Sequence, residues 1–176
     1  MNAQADTKPS SPREFVITRV FDAPRDLVWK AFTQCEHLKH WWGPKGFKVT
    51  SCKIDLRPGG VFHYGMQSPD GKMMWGKFIY REIVAPERIV HIVAFSDEHQ
   101  GVTRHPMAPS WPLETLAAMT FTESGGKTTI TVRWSPHNAT PEERATFEAA
   151  HDGMRQGWTE TMDQLDAYLA KAKASR

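Results

Sequence analysis

The chain has 176 residues, a net charge of +2 and a hydrophobic fraction of 40%, which fits one globular domain able to bury its own core. Basic and acidic side chains interleave without a Lys/Arg stripe, which argues against a nucleic-acid partner, and no apolar run is long enough to span a bilayer. The two cysteines, Cys35 and Cys52, come with no export signal, so they are expected to be reduced and the protein cytoplasmic.

Residues 1–14 are polar, carry Pro9 and Pro12, and lack an apolar segment; they are expected to form a disordered tail and not a signal peptide. A single domain is expected over 15–171. Phe15 to Phe21 alternates as a strand. Pro24 then opens a helix through Leu27, Val28, Ala31 and Phe32. A second short helix is expected to carry His37 to Trp42 and to stop at Gly43-Pro44. From Phe47 the pattern turns to strands: Val49 to Leu56, then Phe62, Tyr64 and Met66 alternating, then Met73 to Val84. Arg57-Pro58-Gly59-Gly60 and Ser68 to Lys72 supply the turns. Ala85-Pro86-Glu87 separates a strand over Ile89 to Phe95. Thr115 to Thr122 and Thr128 to Trp134 form a last hairpin around Ser124-Gly125-Gly126.

Thr140 to Leu169 reads as one long amphipathic helix. Thr140 caps it, Pro141 fits its first position and Glu143 completes a capping box. Phe147, His151, Met154, Trp158, Thr161, Leu165 and Tyr168 recur on one face. Gly153 and Gly157 lie one turn apart on that side. Each costs the helix about 1 kcal/mol relative to Ala, so either another element approaches closely or the glycines leave empty volume beneath them. Short hairpins imply an antiparallel sheet, and one sheet with one long helix is expected to curl around it. The fold class is α+β, a curved antiparallel sheet around a long C-terminal helix.

The chain resembles the helix-grip fold of the START and birch-pollen-allergen (SRPBCC) superfamily. Within it, the sequence is similar to the family named after the activator of a large heat-shock chaperone's ATPase. The carrying residues are Phe21-Asp22-Ala23-Pro24 with Val28-Trp29, Trp41-Trp42-Gly43, Arg57-Pro58-Gly59-Gly60 and Asp70-Gly71. Arg81-Glu82-Ile83, Pro86-Glu87-Arg88-Ile89 and Gly157-Trp158 with Leu165 complete them. The resemblance implies a cavity for a small molecule. Its members include ligand binders, polyketide cyclase-like proteins, antibiotic-resistance proteins and chaperone co-activators, so a chaperone partner and a homodimer are also implied. The long loop 97–113 departs from the family pattern; its Met107 and Trp111 are read as a lid over a pocket mouth, with a mobile surface loop as the alternative.

Strand alternation turns Ile130, Val132 and Trp134 inward and leaves Thr129, Thr131 and Arg133 toward solvent. Ala117, Met119 and Phe121 point inward on the preceding strand. Trp41, Phe62, Tyr64, Met66, Met74, Phe78, Tyr80, Met119, Met154 and Trp158 are the expected ligand-binding residues, each also readable as plain core. Tyr64, Tyr80, Glu82 and His91 are candidate acid–base groups for a cyclase- or hydrolase-type reaction. Glu82 is placed on the Tyr80 face, with Arg88 as a structural partner if it is buried. No metal motif, nucleotide loop or nucleophile elbow is present, so neither metal nor cofactor is expected. The leading expectation is binding of a small hydrophobic or aromatic ligand, lipid- or polyketide-like, between the long helix and the sheet. An enzyme using the same cavity and a protein-interaction module stay open beside it.

Overall fold

The alternating segments become seven strands in the computed structural model, which describes residues 14–175. They are β1 (Phe15–Phe21), β2 (Lys48–Ile54), β3 (Val61–Gln67), β4 (Met73–Val84), β5 (Arg88–Ser96), β6 (Glu114–Ser124) and β7 (Lys127–His137). All pair antiparallel in the order β1-β7-β6-β5-β4-β3-β2, giving a curved, open sheet with β1 and β2 at its edges. Five consecutive hairpin connections build β2 to β7. Helices α1 (Arg25–Thr33) and α2 (Cys35–Leu38) carry the chain from one edge to the other. The expected tail lies outside the described residues except for Glu14, whose carboxylate sits 2.7 Å from Arg133.

The expected single C-terminal helix is two. Helix α3 (Pro141–Ala149) begins with the complete Thr140–Glu143 capping box. The chain turns at Ala150, whose N–H bonds the Phe147 carbonyl at 3.1 Å, and α4 (His151–Ala174) starts beyond it. The turn is packed with rings: His151 stands edge-on to Phe147 and to Phe15, at 5.5 and 5.7 Å. Neither Gly nor Pro marks it, so helical periodicity ran through it unbroken.

Helix α4 lies across the concave face and is fixed along both sides. Toward β1, Arg19 meets Asp163 at 2.5 Å, and Arg155 donates to the Val16 carbonyl at 3.2 Å. Toward α2, Tyr168 bonds His37 at 2.5 Å and stacks on His40. Beneath its C-terminal half, Met162, Leu165 and Leu169 are buried with Phe21, Val28, Phe121 and Ile130. The inward sets Ile130–Val132 and Ala117–Met119–Phe121 are all buried as alternation requires. Thr131 is a correction: it faces away from the core, yet it is only 2% exposed, and its hydroxyl pairs with Thr18 at 3.2 Å.

The cysteines are also a correction. Cys35 at the start of α2 is bonded to Cys52 on β2, with Cα atoms 5.8 Å apart. The packing of α2 on that edge strand brings together two positions 17 residues apart, within the reach a disulfide requires. The second short helix also differs from expectation. It spans only Cys35–Leu38, and the chain passes through turns to Gly43.

Candidate functional site

The N-terminal half of α4 meets the sheet along the edge strand β1, through Arg155 and His151, and stands clear of it at its two glycines. A Cβ built at Gly153 or at Gly157 meets nothing within 4 Å. No element approaches either glycine; Gly157 is half-buried over open volume, whereas Gly153, expected on the buried side, is a correction, since it is exposed and stands at a cavity rim. Two adjoining cavities occupy the space. The smaller, about 230 Å³, lies under Gly157 between Trp42, Tyr64, Met66, Phe78, Trp134, Met154 and Trp158. The larger, about 570 Å³, has Gly153 at its rim and reaches Phe95, His105, Trp111 and Pro112. Tyr64, Val93, Trp134 and Met154 belong to both and form the wall they share.

Local structure explains how these walls are set. Trp42 follows the turn after α2, where its N–H bonds the Leu38 carbonyl at 2.9 Å. Gly43 then takes φ +101°, and a Cβ there would collide with the Met66 sulfur. Glycine thus lets the chain pass close over β3 and swing the Trp42 indole inward. Tyr64 lies flat across Gly76, its partner on β4, where a Cβ would overlap the phenol. The far wall of the larger cavity is the loop 97–113. Asp97 ties the loop's base by accepting from the His99 and Gly101 N–H groups at 2.8 Å. Arg104 reaches Glu143 at 2.6 Å, Ser110 bonds Thr146 at 2.8 Å, and Trp111 packs on Phe147 at 5.4 Å. Loop and α3 therefore form one unit at the cavity's end.

Among the expected ligand-binding residues, Tyr64, Met66, Phe78, Met154 and Trp158 line the smaller cavity, and Trp111 lines the larger. The others lie elsewhere. Trp41 is 2% exposed, with its indole donating to the Ala31 carbonyl at 3.1 Å. Phe62, Tyr80 and Met119 are equally buried in the core that continues from the cavity floor. Met74 and Met107 lie on an outer depression, and Met107 is 86% exposed. Ending α2 at Leu38 exchanged the roles of the tandem tryptophans, so Trp42 and not Trp41 faces the cavity. Val93, Trp134 and Thr161 were not among the expected residues. For Trp134, inward alternation was the available signal.

The acid–base candidates separate in the same way. The register slips between Tyr80 and Glu82, which turns Glu82 off the Tyr80 face. It is half exposed and lies 3.4 Å from Arg88, as an ion pair outside the cavity. His91 is buried under Phe78, ring stacked on ring at 4.1 Å. Its Nδ1 has no partner, and burial pushes its pKa down to about 3, so it is neutral. Burial likewise raises Tyr80. Tyr64 is pushed up to about 12 by burial, opposed in part by the Trp42 indole N–H, which faces the phenol without closing a good hydrogen bond. Burial also depresses His105. Among the described residues, no Asp, Glu, Lys or Arg lines either cavity. Among the described residues, no three His, Cys, Asp or Glu side chains gather into a metal site, and no helix is long and apolar enough to cross a membrane.

A family model described as activator of Hsp90 ATPase homolog 1-like protein matches residues 22–170. The comparison with curated proteins finds no match. Among solved structures, a protein of Nitrosomonas europaea is 26% identical with a TM-score of 0.75, over 94% of this chain and 99% of its own. One from Arthrobacter aurescens is 27% identical with a TM-score of 0.77, over 93% and 90% of the two chains. A third, from Mycobacterium smegmatis, is 25% identical with a TM-score of 0.74, over 92% and 93%. With the open seven-stranded sheet, the α4 that crosses it and a family match spanning nearly the whole chain, this protein belongs to the Hsp90-ATPase-activator homolog 1-like family of the START-type superfamily.

Proposed function

We propose that this protein binds a small hydrophobic or aromatic molecule between α4 and the sheet, with Tyr64, Met66, Phe78, Met154 and Trp158 among its contacts. The observation that carries the reading is the half-buried helical Gly157, with nothing within 4 Å, on the wall of an apolar cavity whose rim continues past the exposed Gly153. A helix loses about 1 kcal/mol at each glycine relative to Ala, and nothing in the packing offsets that loss. Space for a ligand does, since apolar burial contributes about 25 cal/mol per Å² of surface removed from water. An acid–base role finds less support. Glu82 is outside the cavity, His91 is neutral beneath Phe78, and Tyr64 keeps its proton at neutral pH.

The test is native mass spectrometry on protein purified from its host. A stoichiometric adduct is expected, absent in a Gly157→Leu variant that still folds. An adduct retained in Gly157→Leu would place the ligand elsewhere.

A second reading has one observation of its own. Met73 and Met107 are exposed on the same outer depression, and Val102 is exposed on the same loop. Together with the family description, such apolar side chains fit a protein partner such as an Hsp90-type chaperone. Stimulation of that chaperone's ATPase, lost in Met107→Glu and kept in Gly157→Leu, would support it.

A further inference from the structure

We infer that the cavity selects an uncharged, flat ring compound carrying a carbonyl-type acceptor, and that the Tyr64 hydroxyl is the group that reads the acceptor. The inference rests on the container reading above and narrows it to a ligand class.

Charge is the first discriminant. With no ionised side chain among the described residues on either cavity, a carboxylate, phosphate or ammonium inside would lose its water with no counter-ion to replace it. Arg104, on the loop that ends the larger cavity, is already paired with Glu143. Fatty acids and the charged heads of phospholipids are therefore disfavoured in the interior.

Shape is the second. The Trp42 ring stands at 80° to Tyr64, 81° to Phe78 and 80° to Trp158, and Trp134 stands at 73° to Trp158. Flat walls that meet near right angles offer a planar ligand a face on one side and an edge on the next, the two favoured aromatic geometries. An alkyl chain gains no such match.

Polarity is the third. Two carbonyls at the cavity are satisfied: Thr161 donates to that of Gly157 at 3.0 Å, and Gln164 donates to that of Gly43 at 2.5 Å. The buried orphan side-chain atoms on the cavity lining are both donors. The indole N–H groups of Trp42 and Trp134 are buried without partners. The Trp42 indole stands edge-on to the Tyr64 ring at 5.6 Å, and its N–H, the group that acts on the phenol, is itself a donor, so no acceptor for the phenol's own proton is found among the described residues. Tyr64 stands on the wall common to both cavities, where that proton can reach a ligand oxygen. Two unpaired N–H dipoles nearby also favour partial negative charge in the space.

The test uses three probes with one skeleton: 9-fluorenone, fluorene and fluorene-9-carboxylate. Binding is followed by tryptophan fluorescence in the wild type, Tyr64→Phe and Gly157→Leu proteins. The ratio of fluorenone to fluorene affinity is expected to fall about tenfold from wild type to Tyr64→Phe. Each probe's solvation cancels in that comparison. The carboxylate is expected to bind at least about 100-fold more weakly than fluorene, and Gly157→Leu is expected to bind none of the three. Independently of any variant, the carbonyl stretch of bound fluorenone should shift to lower frequency than in hexane. Fluorene binding with an unchanged ratio in Tyr64→Phe and an unshifted carbonyl would overturn the inference and leave the container reading standing. Carboxylate binding equal to that of fluorenone would overturn the uncharged class. Failure of both neutral probes to bind, with no native adduct, would overturn both.

Discussion

The two halves of α4 present the same apolar periodicity to the same sheet and do opposite things. From Met162 to Leu169 the helix carries Met162, Leu165 and Leu169 into a filled core, each under a tenth exposed. From His151 to Gly157 it carries two glycines along cavities of about 570 and 230 Å³. The difference is side-chain volume at the buried positions, since the backbone is helical throughout. A helix can therefore be held rigidly at one end by packing and spanned over a void at the other. The packed end supplies the stability, and the vaulted end supplies the site.

The contrast can be broken most forcefully at the packed end. Leu165 is fully buried, and Leu165→Ala should destabilise by about 2–5 kcal/mol in urea denaturation; a loss under 1 kcal/mol would mean that this end is not packed as described. The staple beside the cavity comes next. Reducing Cys35–Cys52, which closes a 17-residue separation, should cost about 3 kcal/mol, read as a lower urea midpoint with reductant present. An unchanged midpoint would contradict it.

Acid gives a graded version of the same comparison, because His91 belongs to the filled region. Its folded pKa of about 3 lies below the ordinary value of 6.5. Below about pH 6.5 the unfolded chain takes up a proton that the folded chain refuses. The stability due to neutral burial is thus complete above about 6.5 and is lost as pH falls toward 3. The slope should be about 1.4 kcal/mol per pH unit. Between pH 6.5 and 5, before carboxylates intervene, His91→Phe should flatten it. The smallest change is expected at the vault. Gly157→Ala adds a methyl group into space where nothing lies within 4 Å and should raise stability by up to about 1 kcal/mol. A loss there would show that the volume is filled in solution.

The packed region was the more legible one. Period-two alternation turned Ala117, Met119, Phe121, Ile130 and Val132 inward, and all five are buried. The turn residues separated the strands, and Thr140–Glu143 marked the start of α3. The cavity was legible only as a set. Gly153 and Gly157 announced it, and five of the ten expected lining residues stand on its wall. Three of the other five miss because alternation tells inside from outside but not depth. Phe62, Tyr80 and Met119 point the right way and lie beneath filled core. Other differences come from tertiary geometry that leaves no local trace. The slip after Tyr80 turned Glu82 outward, the early end of α2 put Trp42 where Trp41 was expected, and the docking of α2 on β2 joined the two cysteines. The loop 97–113 was legible as a cover only at Trp111, since Met107 faces solvent.

The seven tryptophans make the contrast measurable in one spectrum. Trp42, Trp111, Trp134 and Trp158 border the cavities, Trp29 and Trp41 are in the core, and Trp75 stacks on His63 beside the outer depression. The measurement is a titration of the indole N–H resonances, in a nitrogen-15-labelled protein, with 9-fluorenone. Trp42, Trp134 and Trp158 should shift furthest, Trp111 less, and Trp29, Trp41 and Trp75 hardly at all. Shifts concentrated at Trp75, or no shifts at saturating probe, would contradict a ligand site under the glycine half of α4.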